Sequence, residues 1–238
     1  MNYLKFRKDS FTTTGNVGLI EKIFETINLK NGTFIEFGAW DGIKRANCRK
    51  LFLEGWNGIF IESNVFRYLK LWWNYKNEKN IKTIFSKVKC NGKYRLDNIV
   101  KNLSKVDFIS IDIDGLDIAV FESIKSLSPL VFCIEGGQML DPYHPRVSSE
   151  IEKYNIQQSL SVIKNIAEKK NYKILCTFQD TFLIRNDYSH LFEINQDLKT
   201  LYLDGLEASY NRLPWINRVL KMVNLENKIV DFILKNTD

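Results

Sequence analysis

Proline, histidine and paired cysteines are scarce in this chain, and each shortage removes a class of explanation. Only four prolines occur in 238 residues, with no Pro/Ser-rich tract and no internal repeat, so nothing reads as a linker or an array. No apolar run approaches the ~20 residues that span a bilayer, and no membrane span is expected. Met1 to Lys8 lacks the apolar core of a secretory signal. The four cysteines, Cys48, Cys90, Cys133 and Cys176, contain no CxxC pair, which excludes the usual zinc and redox patterns. Cys133 and Cys176 sit inside apolar strand patterns and read as small hydrophobes; a reduced, cytoplasmic setting is the expectation. The basic excess gives a net charge of +6, but the lysines are dispersed along the chain and form no dense stripe. No Asn/Asp-Pro-Pro-aromatic motif is present either. A nucleic-acid partner is therefore not expected, whereas a mildly positive field suits an anionic small substrate.

What is present is a globular composition, 45% hydrophobic and 13% aromatic, in which strand-like and helical runs alternate. Strands are expected at 33–38, 57–62, 81–86, 106–112, 130–135, 173–178 and 181–185. Helices are expected at 17–29, 43–54, 64–76, 95–103, 117–126, 156–170 and 214–235. Such alternation predicts an α/β fold with a mostly parallel sheet covered on both faces. The last two strands are separated only by Gln179-Asp180, which predicts a terminal antiparallel hairpin. By analogy this is the Rossmann-like class I methyltransferase architecture, with seven strands. Residues 1–212 form the expected domain. Residues 213–238 read as an amphipathic C-terminal helix, since Ile216, Val219, Leu220, Val223, Ile229, Val230, Ile233 and Leu234 recur at helical spacing. That helix either packs on the parent domain or forms a homodimer interface.

Chemistry-bearing residues cluster where strands end. Thr33 to Gly42 is a strand running into a glycine turn, followed by a helical pattern, the first unit of a nucleotide-binding α/β domain. A dinucleotide turn needs a middle glycine to approach a pyrophosphate; here Trp40 fills that region. The turn suits a ligand without phosphates that carries a ribose and an amino acid, such as S-adenosylmethionine. Glu36 would face the α-amino group, and Glu62, ending the next strand, the ribose diol. Downstream, a strand that should be wholly apolar ends in Asp112 and Asp114, which period-2 alternation projects to one side. Asp117 reads either as part of the same cluster or as a helix cap. Glu135 emerges from the neighbouring strand. Asp112, Asp114 and Glu135 together are oxygen donors suited to a divalent cation, Mg²⁺, Mn²⁺ or Fe²⁺. His144, in the loop beyond, is a candidate general base or further ligand; His190 reads as a surface residue.

These segments resemble a known family. Leu96-Asp97-Asn98-Ile99-Val100, then VDFISIDIDGLDIAVFESI, then a strand ending in Glu135, are similar to the FkbM-type S-adenosylmethionine-dependent O-methyltransferases. The IEFGAWDG turn, the acidic end of IFIES and the stretch from Gly15 to Phe24 agree, so that the likeness covers roughly residues 10 to 187. The family more often shows a lysine where Ser110 stands and glutamates where Asp114 and Asp117 stand. The resemblance implies cofactor contacts from Glu36, Gly38, Ala39, Asp41, Gly42, Glu62 and Ser63, with Asp112 beside the methyl donor. It also implies a sugar hydroxyl as acceptor; the modest size, basic charge and expected cytoplasmic setting make a nucleotide-linked hexose or heptose destined for a bacterial capsule or lipopolysaccharide the expected substrate. Asp112, Glu135 and His144 are then the catalytic candidates. An NAD-dependent sugar-modifying enzyme and a non-catalytic Rossmann-like interaction domain are the alternatives that the residues leave open.

Overall fold

Seven short apolar strands form one sheet in the computed structural model, which describes residues 2–212 apart from 9, 13, 102, 104, 150–152 and 155. The strands are β1 (Thr33–Phe37), β2 (Asn57–Glu62), β3 (Ile81–Phe85), β4 (Phe108–Ile111), β5 (Val131–Glu135), β6 (Tyr172–Thr177) and β7 (Asp180–Arg185). Their order across the sheet is β3-β2-β1-β4-β5-β7-β6. The first five pair in parallel. β7 alone is reversed, pairing antiparallel with both β5 and β6. This is the expected mostly parallel, seven-stranded α/β sheet with its antiparallel hairpin.

The near-continuous apolar strands are explained by burial on both faces. Ile35 and Phe37 of β1, Ile109 and Ile111 of β4, and Phe132 and Ile134 of β5 join one core. Phe34, Phe108, Val131 and Cys133 join the other. Seven helices cover the sheet among the described residues: α1 (Asn16–Ile27), α2 (Arg49–Leu53), α3 (Val65–Tyr75), α4 (Leu96–Ile99), α5 (Asp117–Ser123), α6 (Leu160–Lys169) and α7 (Leu198–Arg212). Local chemistry sets their starts. The Asn64 side chain accepts from Phe66 and Arg67 N–H groups at the start of α3, and the Ser159 hydroxyl from Val162 at α6, both N-caps.

Four segments depart from the expectation, each with a local cause. The helix expected at 43–54 is reduced to α2, because Gly42 and Arg45 hold left-handed backbone angles, φ 71° and 59°, which no helix accommodates. The one expected at 95–103 shortens to α4, whose Asp97 carboxylate instead accepts N–H groups from Lys125 and Ser126. β4 stops at Ile111 rather than 112, so Asp112 and Asp114 belong to a loop. The helix α7 was not anticipated: Gly205 in its middle weakens the pattern, yet Asp197, whose carboxylate accepts from Thr200 N–H at 2.9 Å, marks its start. The helix expected at 214–235, and the segment 213–238 as a whole, lie outside the described residues. Among the described residues, no helix is long and apolar enough to cross a membrane.

Candidate active site at the carboxyl ends of β1, β4 and β5

The turn after β1 depends on close backbone approach. Gly38 adopts φ 79°, and a Cβ there would lie 1.5 Å from the Asp112 carbonyl oxygen, so only glycine lets β1 and β4 end side by side. Trp40 follows with φ 54°, a left-handed angle uncommon for a bulky residue. Two buried glutamates hold this turn. Glu36 accepts the N–H of Asn47 at 2.9 Å and of Cys48 at 2.8 Å, one on each oxygen. Burial pushes its carboxyl up to about 7, with those two N–H groups pulling the other way. Glu62 accepts from Trp40 at 2.9 Å through one oxygen, and from Ser63 and Asn64 at 2.8 and 2.7 Å through the other. Asp41 closes the turn on Ile43 and Lys44, Ala39 is buried, and the Gly42 carbonyl accepts from the Tyr75 hydroxyl.

Beside this turn lies a cavity of about 450 Å³, within the usual range for small-ligand sites. It opens at the carboxyl ends of β1 to β4, the crevice where such sheets bind ligands. Its lining mixes apolar side chains (Ile61, Val88, Ile113, Leu116) with polar Ser63 and Asn91 and with the charged Lys87, Lys89, Lys153 and Asp114. Of the expected cofactor residues, Gly38 and Ser63 line it, whereas Glu36, Ala39, Asp41, Gly42, Glu62 and Asp112 do not. The segment Ser86–Asn91, which also lines it, escaped notice because it carries no motif; its only signal is its place just after β3.

The second loop gathers acids. Asp114, Gly115 and Leu116 take φ values of 55°, 126° and 65°, a run of left-handed backbone of the kind that concentrates at functional sites. Asp117, the first residue of α5, secures it by accepting from Ile113 at 2.8 Å and Gly115 at 2.9 Å. It therefore acts as a loop clasp. Alternation along a strand does not bring Asp112 and Asp114 together, since both lie beyond β4; the left-handed turn does. Oxygens of Asp112, Asp114 and Glu135 all fall within 4.8 Å of one another.

These carboxylates face a crevice of about 390 Å³, bounded also by Thr12, Asn16, Asn47, Gln138 and Asp180. Asp112 and Asp114 are exposed to solvent and Glu135 is half-buried, although protein packs closely around the Asp112 carboxyl. Burial, then the charges of Asp180 and Glu135, push that carboxyl up to about 9. Burial and the charges of Asp117 and Asp180 push Glu135 up to about 8. Beneath them runs a buried polar row: Asn16 donates to Asp180 at 2.6 Å and to Asn47 at 3.0 Å, and Asn47 donates to Ser110 at 2.9 Å. Several buried atoms around the crevice have no hydrogen-bond partner, namely Thr12 Oγ1, Asn16 Oδ1, Glu135 Oε2 and both amide atoms of Gln138. Buried polar groups are ordinarily satisfied, so these point to a ligand. Thr12, Asn16 and Gln138 escaped the sequence reading, because isolated polar residues outside motifs give no signal.

The structure does not bring His144 into this crevice. It is exposed on its loop, with Nδ1 hydrogen-bonded to the Pro145 carbonyl at 2.7 Å. His190 is exposed on the surface. The four cysteines are free thiols, and burial pushes Cys133 and Cys176 upward. A larger hollow of about 640 Å³ under α1, lined by Phe6, Glu21 and Trp56 among others, lies away from the strand carboxyl ends.

No family model matches the chain, and no curated protein matches it. Solved structures resemble it in shape. One, from Galdieria sulphuraria, is a candidate sarcosine dimethylglycine methyltransferase: 16% identity over 68% of this chain, TM-score 0.48. The chain spans only 63% of that protein. Another is a SAM-dependent methyltransferase from Aquifex aeolicus, 15% identical over 76% of this chain and 94% of its own, TM-score 0.47. A third is the N-terminal domain of EvdMO1, solved with S-adenosylhomocysteine and D-fucose, 9% identical over 75% of this chain and 84% of its own, TM-score 0.49. The fold stands on the strand order itself.

Proposed function

We propose that the chain is an S-adenosylmethionine-dependent O-methyltransferase of the FkbM type, acting on a sugar hydroxyl. One observation carries the reading: a cavity of mixed apolar and polar lining and an acidic, amide-lined crevice share Asp114, on the loop that follows β4. The cavity has the volume for an adenosyl group, with Ile61, Val88, Ile113 and Leu116 against the base and Ser63 and Asn91 as polar partners. When bound, S-adenosylmethionine supplies an activated sulfonium methyl. The protein's task is then mainly to align donor and acceptor, which supplies several kcal/mol of the barrier.

In this reading Glu36 and Glu62 act through the turn they hold, with their oxygens engaged by backbone N–H groups. The acceptor ring occupies the crevice, where Thr12, Asn16 and Gln138 supply hydroxyl and amide partners for its hydroxyls. Glu135, with its carboxyl near 8, is poised to take the proton that leaves the acceptor oxygen as the methyl–oxygen bond forms. Asp112 lines the crevice beside Asp114, which both spaces share, and orients the acceptor. Asp112, Asp114 and Glu135 have the hard oxygen donors and the spacing to hold a divalent cation, which would relieve their mutual repulsion and acidify a nearby hydroxyl. The acceptor in its simplest form is a nucleotide-linked hexose or heptose of a bacterial surface polysaccharide. The crevice argues for the sugar ring entering first, since among the described residues that line it Arg45 is the one cation beside four carboxylates.

The test is calorimetric binding of S-adenosylhomocysteine, followed by labelled-methyl transfer to a panel of nucleotide sugars before and after chelation. Donor binding with transfer to a sugar supports the reading. NAD binding in place of S-adenosylhomocysteine, or neither, overturns it. Full activity after exhaustive chelation removes the cation alone.

A further inference from the structure

The lysines that look scattered in sequence are collected by the fold onto one edge. Between Asn64 and Lys93 the chain has eight basic residues and a single acid, Glu78. This stretch therefore carries +7 where the whole chain carries +6. It comprises α3 and β3, and β3 is the edge of the sheet. Arg67, Lys70, Lys76, Lys79, Lys82, Lys87, Lys89 and Lys93 are all exposed.

The same edge carries apolar bulk that water should reject. α3 buries Leu71 and Tyr75 against the sheet, but turns Val65, Phe66, Leu69, Trp72 and Trp73 outward, at 47%, 75%, 54%, 44% and 65% exposure. Their spacing, i, i+1, i+4, i+7 and i+8, makes them one continuous stripe. Phe85 of β3 extends it, exposed beside Tyr68 with ring centroids 5.2 Å apart. Lys76 lies over the Trp73 ring, its nitrogen 3.3 Å from the centroid, a cation–π contact that sets positive charge directly on the stripe. Isolated exposed apolar residues are ordinary, but a contiguous stripe of this kind marks an interaction surface.

We propose that this edge is a membrane-interfacial surface that seats α3 on an anionic bilayer. Trp and Phe on one helical face, flanked by Lys and Arg with no acid in the helix, is the composition of an interfacial helix. Phe66, Leu69, Trp72 and Trp73 enter the boundary between headgroups and acyl chains, and the surrounding lysines face lipid phosphates. Charge complementarity selects this occupant. A second copy of the chain would place +7 against +7. The C-terminal segment 213–238 has four basic residues and three acids in its sequence, so it offers no acidic complement. Single-stranded nucleic acid uses a basic groove with stacking platforms, whereas this stripe is a convex helix that includes aliphatic Val65 and Leu69. The inference is independent of methyl transfer.

The test is flotation of the full chain with vesicles of phosphatidylcholine alone or doped with phosphatidylglycerol, at low and high salt, with tryptophan emission recorded. Binding to anionic vesicles with a blue shift, weakened by salt, is expected. K70E/K82E should lower partitioning by roughly tenfold or more. F66S/W73S should remove the blue shift, while circular dichroism melts confirm that both variants fold. No partitioning, or equal partitioning of the variants, overturns the proposal. So does salt-sensitive binding to single-stranded RNA without vesicle binding, or a dimer that F66S/W73S dissociates.

Discussion

The glutamates behind β1 and β2 and the acids beyond β4 and β5 are equally conspicuous in sequence but do opposite work. Glu36 and Glu62 are buried, and between them their oxygens accept five backbone N–H groups; they are braces. Asp112, Asp114 and Glu135 converge within 4.8 Å, and Glu135 Oε2 has no partner at all. Brace carboxylates are satisfied by the loops they hold, whereas the gathered acids repel one another at the mouth of a crevice open to solvent, where groups of perturbed acidity are candidates for function. Asp117 sits with the second group in sequence but belongs to the first in function, since both its oxygens clasp loop N–H groups.

The sharpest way to break the contrast is to remove the contact that joins the two regions. Gly38→Ala forces a Cβ into the Asp112 carbonyl at a left-handed φ, and the backbone there cannot retreat without parting β1 from β4. A loss of more than about 4 kcal/mol is expected, the class of change that leaves no folded protein. A near-native urea midpoint for this variant would mean that the two loops are not coupled. Next in size, Asp112→Ala and Glu135→Gln should each lower turnover by about 10²–10⁴, with the Kd for S-adenosylhomocysteine within about threefold of the parent. Equal loss of donor affinity would move these acids into the brace group.

The sheet was readable because its signal is repeated: apolar runs of strand length, spaced by helical patterns, recur along the chain, and no single residue decides them. Carboxylates at strand ends were readable for the related reason that charge in an apolar run is costly. What sequence could not separate was the brace from the free acid, since that depends on which backbone N–H groups a loop presents. Trp40 and Asp114 adopt left-handed angles that their residue types do not advertise. His144 drew notice through its rarity, yet its position is set by a loop that turns it outward. The basic edge was missed although its charges lie in the one stretch 64–93, because only the packing of α3 beside the edge strand sets them around an exposed aromatic stripe.

A pH series sharpens the brace side. The Glu36 carboxyl rises from an ordinary 4.5 to about 7, so the fold favours its neutral form. Its contribution is fully present below about 4.5 and is lost as pH rises through 7. A shift of that size corresponds to about 3 kcal/mol, or roughly 6–12 °C in Tm for a chain of this length. The raised carboxyls of Asp112, Glu135 and Asp180 tilt stability the same way, so the difference between parent and Glu36→Gln isolates the brace. The parent's Tm should fall more steeply than that of Glu36→Gln between pH 5 and 8. Parallel curves would mean that Glu36 is not the buried titrating group.

The smallest effect is the most discriminating for the crevice. Thr12 is 6% exposed, and its hydroxyl has no partner, so Thr12→Val removes a buried polar atom while keeping the shape. An unsatisfied hydroxyl contributes nothing to the unliganded fold, and Tm should hold or rise slightly. If that hydroxyl meets the acceptor, KM for the acceptor should rise severalfold, the worth of one neutral hydrogen bond of about 1 kcal/mol, with donor affinity unchanged. A brace residue would show the reverse, a lower Tm with no selective change in KM. That pattern would transfer Thr12 to the structural side of the molecule and leave the crevice without its hydroxyl partner from the N-terminal segment.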